Sequence, residues 1–156
     1  MTGFIVTAPT APASETPITS DPFWPEIDPV EIREAQRIDG TIPAKRLRLA
    51  IVEAIATTNY ALRPWREDRI AEGVNTLTAV EAEEIDGTSI HVHRYQRAVG
   101  CLAKALLLER YKDLDTTGKG DKKAETLTDP IDDCRRDNLN AIADITARSR
   151  ITVELI

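Results

Sequence analysis

The stretch PAKRLRLAIVEAIATTNYALRPWREDRI, residues 43–70, decides the fold class. Leu47, Ile51, Ala54, Ile55, Thr58, Leu62, Trp65 and Arg69/Ile70 recur at three- and four-residue intervals, so one stripe of a helix faces a core along its whole length. At 1.5 Å per residue this is a rod of roughly 40 Å. Gly73 suits its stop, because glycine accepts the left-handed backbone that ends helices. Pro64 lacks an amide hydrogen and crowds the preceding turn, which predicts a kink, or a split into two segments, near Tyr60–Ala61.

Further helices flank this rod. Before it, Asp28-Pro29-Val30-Glu31 combines a cap, a proline at the first helical position and capping-box spacing. Ile32, Ala35 and Ile38 give that helix a short apolar edge, and Asp39-Gly40-Thr41 ends it. After it, residues 75–87 read as a connection, with Asp86-Gly87-Thr88 turning into a third helix from about Ser89 to Leu114. Val92, Tyr95, Val99, Leu102, Ala103 and Leu106 mark its buried face. Leu107 and Leu108 widen the apolar surface, so this helix is central or touches another subunit. A Gly- and Lys-rich loop, Asp115–Glu125, leads to Asp129-Pro130, which opens a fourth helix ending near Ala147, with Leu139, Ile142, Ala143 and Ile145 on its inner face. The expected fold is all-α, with about four helices in a small bundle over residues 28–147.

The two ends differ from this body. Residues 1–27 are Thr-, Pro- and Ala-rich and poor in periodic apolar groups, which predicts an extended N-terminal arm. Phe23 and Trp24, between Pro22 and Pro25, either tuck back onto the helices or anchor the arm in a partner's pocket. Residues 148–156 read as an extended tail. There Ile151, Val153 and Leu155 alternate with polar groups, and a lone strand invites addition to a neighbour.

At 156 residues the chain holds one domain's worth of core. Aromatic residues are 4% of it, so the core is built from Ala, Ile, Leu and Val, and burial against neighbouring copies adds stability. The net charge of -6 lies mainly in residues 1–42, where seven acids oppose Arg33 and Arg37. The remainder is nearly neutral and lacks the strongly basic balance of a dedicated nucleic-acid binder. No apolar run reaches transmembrane length and the first residues lack a basic region followed by a long apolar one, so a soluble protein made in the cytoplasm is expected. Cys101 and Cys134 read as buried thiols.

Little here points to catalysis. His91 and His93, two apart on a helix, face different sides and do not form an i, i+4 metal pair. Asp132, Asp133 and Asp137, with Glu81, Glu83 and Glu84, fall where capping and solvation explain them. No catalytic set, metal site or cofactor is expected. Gly118-Lys119-Gly120-Asp121-Lys122-Lys123 lacks P-loop spacing. Lys119, Lys122 and Lys123 suit a solvated loop, a contact to an acidic protein surface, or salt-sensitive contact with phosphates.

The order of these pieces resembles the head completion protein (GpL) family of temperate, contractile-tailed phages of the peduovirus group. The likeness is carried by Phe23-Trp24-Pro25-Glu26-Ile27-Asp28-Pro29, Pro43-Ala44-Lys45-Arg46-Leu47-Arg48, Ile85-Asp86-Gly87-Thr88-Ser89-Ile90, Tyr95-Gln96-Arg97-Ala98-Val99, Glu109-Arg110-Tyr111 and Lys119-Gly120-Asp121-Lys122-Lys123-Ala124. It implies a non-enzymatic virion protein at the head–tail junction. Such a protein binds the portal vertex, stabilises the DNA-filled head and forms the surface that receives the tail. The resemblance further implies a homo-oligomeric ring, twelvefold to follow the portal, that meets the portal protein, the next connector or tail-terminator protein, and packaged DNA in the channel. Phe23, Trp24, Ile151, Val153 and Leu155 are then the expected partner contacts, with Lys119, Lys122 and Lys123 toward DNA or an acidic surface. The competing reading is a small cytoplasmic helical adaptor with weak nucleic-acid contact through the lysine loop.

Overall fold

The computed structural model describes residues 15–114 and 121–148. Four helices carry the fold: α1 (Pro29–Ala35), α2 (Ala44–Ala71), α3 (Ile90–Leu114) and α4 (Asp121–Ile145). A 3-10 turn (Leu77–Ala79) and a hairpin of β1 (Glu84–Ile85) and β2 (Thr88–Ser89) join α2 to α3. The all-α bundle expected from the periodicity is present.

Local chemistry explains most boundaries. Asp28 caps α1, its Oδ1 accepting from the Val30 amide at 2.8 Å, with Pro29 in the first turn. α2 ends at Ala71 with Glu72 as its C-cap, and Gly73 follows at φ +88, where a side chain would be strained. In the hairpin, Asp86 (φ 54) and Gly87 (φ 70) both take the left-handed backbone that a two-residue turn requires. The turn read at Asp86-Gly87-Thr88 is thus present, and the connection before it adds two short strands.

α3 is the central element. It packs most extensively on α4, then on α2, while α2 and α4 touch each other little. Its residues Val92, Tyr95, Ala98, Val99, Leu102, Ala103, Ala105 and Leu107 are buried around much of its circumference. The broad apolar surface of α3 is therefore consumed inside the protomer. At Gly100 a Cβ would stand 3.0 Å from Gln36 Nε2 and 3.2 Å from Ile32 Cδ1, so the missing side chain lets α1 lie close against α3.

Several expectations need correction. Pro64 does not split α2, which runs unbroken through 28 residues. α4 begins at Asp121, so Pro130 lies inside the helix rather than at its start, and the loop expected to reach Glu125 is shorter. Its buried face is Ile131, Asn138, Ala141 and Ile145, while Leu139 points outward. Ile145 is buried and Ile142 packs against the core, as expected, whereas the place given to Leu139 is taken by a polar group: Asn138 Nδ2 donates to the Ala98 carbonyl at 2.9 Å and lies 3.5 Å from Thr58 Oγ1. A buried amide so satisfied takes the place of an apolar side chain.

The largest correction concerns the N-terminal segment. From Glu15 onward it is folded onto the helices, so the boundary at 27/28 does not separate an arm from a body. Ile18 and Ile27 exchange both backbone hydrogen bonds, at 2.8 and 3.0 Å, closing a loop that presents Phe23 and Trp24 to the core. Residues 1–14 and the strand-like residues 149–156 lie outside the described residues.

Candidate functional site

Phe23 and Trp24 are 2% and 5% exposed, so of the two alternatives the sequence left open, the structure takes the one in which they tuck back. The Trp24 ring stacks on Tyr95 at 4.8 Å and 7°, and meets Phe23 edge-on at 4.8 Å. Trp65 of α2 stands edge-on to Phe23 at 6.2 Å. The Phe23 carbonyl accepts from the Leu77 amide at 2.8 Å. Polar groups seal the rim. Arg66 pairs with Asp21 at 2.7 Å, Arg48 donates to the Thr16 carbonyl at 2.6 Å, and the Tyr95 hydroxyl donates to Asn59 Oδ1 at 2.7 Å. Two rings buried this fully offer a partner no surface to grip.

Burial pushes the Tyr95 phenol well above its ordinary range, against the smaller opposing effect of hydrogen bonds with Ser20 and Asn59. His91, tilted against Trp65 at 5.7 Å, is held below the usual imidazole range, first by burial and then by the Arg94 charge. His93 Nε2 lies 2.9 Å from the Ile85 carbonyl and ties α3 to the hairpin. Burial raises both Cys101 and Cys134, which makes them sluggish nucleophiles. Asp132 and Asp133 lie on the exposed side of α4, Asp133 paired with Arg136 at 2.8 Å, and Asp137 faces Arg97 at 3.4 Å. Among the described residues no three His, Cys, Asp or Glu side chains gather as a metal site would require.

A cleft of about 240 Å³ lies between α1 and α3, with Asp28 and Glu31 on one wall and His93, Gln96 and Arg97 on the other. The groups are of mixed sign and the floor is Ile27 and Ile32. No nucleophile is paired with a base across it among the hydrogen bonds of the described residues, so it reads as a surface groove.

The surface carries its apolar excess elsewhere. On α2, Leu49 is 55% exposed, Val52 46% and Tyr60 69%; on α4, Leu139 is 65% exposed. Arg63 lies over the Tyr60 ring at 4.9 Å, leaving much of that ring open. Sequence reasoning followed the inward stripe of α2 and missed this outward one. Its signal was present, because Leu49, Val52, Ala56 and Tyr60 form a second series at three- and four-residue spacing. Lys122 and Lys123 fall in the first turn of α4 rather than in a loop. Lys119, Ile151, Val153 and Leu155 lie outside the described residues.

Comparison with known proteins places this helical body in a family. The family model described as phage head completion protein (GPL) matches residues 18–156. A head completion/stabilization protein of Escherichia phage P2 is 42% identical over 146 residues, covering 93% of this chain and 86% of that protein. A probable head completion/stabilization protein of Haemophilus phage HP1 (strain HP1c1) is 29% identical over 100 residues, covering 64% of this chain and 67% of its own length. No solved structure matches.

Proposed function

Because the chain belongs to the phage head completion protein (GPL) family, a structural component of the virion, we propose that it completes the head at the portal vertex. There it stabilises the DNA-filled capsid and builds the surface that receives the tail. Copies are arranged as a ring that follows the portal, with the next connector or tail-terminator protein on the far side. The observation that carries this reading is the set of large apolar side chains left in solvent on α2 and α4 of a body whose own core is already filled. Large apolar side chains exposed on the flanking helices, beyond what the filled core uses, support an association role.

In this arrangement the lysine-bearing segment, Lys119, Lys122 and Lys123, faces the channel or an acidic protein surface. The terminal Ile151, Val153 and Leu155 add as a strand to an adjacent chain. The test is complementation of a phage lacking this protein. Heads made without it are expected to lose packaged DNA and to accept no tails, and purified full-length chain added to them restores both. Heads that retain DNA and join tails in its absence overturn the proposal.

A further inference from the structure

We propose that two copies of this chain dock head to tail, the outer face of α2 in one copy lying alongside the outer face of α4 in the next. This deepens the reading above, on which it rests, by naming the surfaces through which copies meet. Two faces of different helices are required, because a repeated contact that closes into a ring joins unlike patches. α2 and α4 meet that condition, since each packs chiefly on α3 and they present separate surfaces.

The two stripes match in spacing. On α2, Lys45, Val52 and Ala56 are seven and four residues apart; on α4, Asp132, Leu139 and Ala143 repeat the same intervals. Residues seven apart return to within about 20° of one helix face. Laid parallel, the helices bring Lys45 against Asp132, Val52 against Leu139 and Ala56 against Ala143. Small residues at the third position let the backbones approach. Glu53 lies at the rim, within reach of Arg136, whose guanidinium is now held by Asp133 of its own helix at 2.8 Å.

Charge also points to a partner. Lys45, Arg46, Glu53 and Asp132 have no ion pair among the described residues. α2 starts with no acidic residue in its first turn, no side-chain cap at Pro43, and Lys45 and Arg46 in the place that favours carboxylates. A helix N-terminus carrying two cations gains from an acid supplied from outside. Asp132, one register step from an exposed leucine, supplies it. A second copy therefore satisfies both the apolar stripe and the mismatched charge.

The test uses full-length chain assembled into heads. A photo-crosslinking amino acid replacing Val52 is expected to join the peptide containing Leu139 of another copy. Lys45→Glu and Asp132→Lys are each expected to reduce incorporation into heads by about tenfold, and the double variant to restore most of it, as charge swaps across a real pair do. Leu139→Asp is expected to abolish incorporation while its far-UV circular dichroism stays that of the parent. Crosslinks to another protein or to another region, or single variants that incorporate normally, overturn the docking face while leaving the head-completion reading intact. Parent chain that never enters heads overturns both.

Discussion

At Trp24 the indole lies flat on Tyr95 and edge-on to Phe23, with the rim closed by the Arg66–Asp21 pair. Removing a ring from such a site takes away its buried area and leaves a cavity that helices cannot easily collapse. Trp24→Ala is expected to lower stability by about 3–5 kcal/mol, measured by urea denaturation. His91 makes a second prediction. Its imidazole is held below the ordinary value by burial and by Arg94, so the folded state favours the neutral ring. The unfolded chain binds a proton there more readily. This stability is fully present above the ordinary imidazole pKa of about 6.5 and is lost as pH falls through the lower folded value. His91→Gln is expected to flatten the loss of stability between about pH 7 and 5.5, relative to the parent, in paired denaturation curves.

Among the elements, α2 begins with charges that oppose its own dipole. Lys45 and Arg46 oppose the partial positive charge of the helix start. Lys45→Glu is therefore expected to raise the melting temperature of the isolated protein, by about 0.3–1 kcal/mol of stability, measured calorimetrically at low salt, although the same change is expected to weaken docking. α1, α2 and α3 were legible in the sequence because their determinants are local. Asp28-Pro29 caps one, a continuous stripe defines another, and the third carries apolar residues beyond one face. α4 was harder, since Asp129-Pro130 is a start signal that a helix can also tolerate in its interior. Asn138 hid the true inner face, because its burial depends on Ala98 and Thr58, 40 and 80 residues away in sequence. Two-residue strands are too short to show alternation, although Asp86-Gly87 did announce a tight turn. The sequence left the burial of Phe23 and Trp24 as one of two alternatives for a related reason: their pocket is assembled from α2, the 3-10 turn and α3.

On the scale of the whole molecule, the folded unit begins within what composition alone marks as an arm. Truncation tests this directly. Removing residues 1–14 is expected to leave the cooperative unfolding transition in place. Removing residues 1–27 takes away the Ile18–Ile27 bridge and both rings, and is expected to broaden or abolish the transition seen by near-UV circular dichroism and calorimetry. Equal behaviour of the two truncations would mean the aromatic cluster contributes little. The broad apolar surface of α3 marked it as central or as an interface with another subunit, and the structure takes the first alternative. The surplus of α3 is used internally, and the exposed residues belong to the flanking helices α2 and α4.

The seat of Trp24 also sets an order of events during synthesis. Phe23 and Trp24 leave the ribosome early, yet the surfaces that cover them come from Trp65, Leu77 and Tyr95, which are made much later. Contacts so distant along the chain form late. A nascent polypeptide halted before Tyr95 lacks the ring on which Trp24 stacks, and is expected to be cut by proteases faster than one that has passed it. Closure of the aromatic seat therefore waits on translation through Tyr95 in α3.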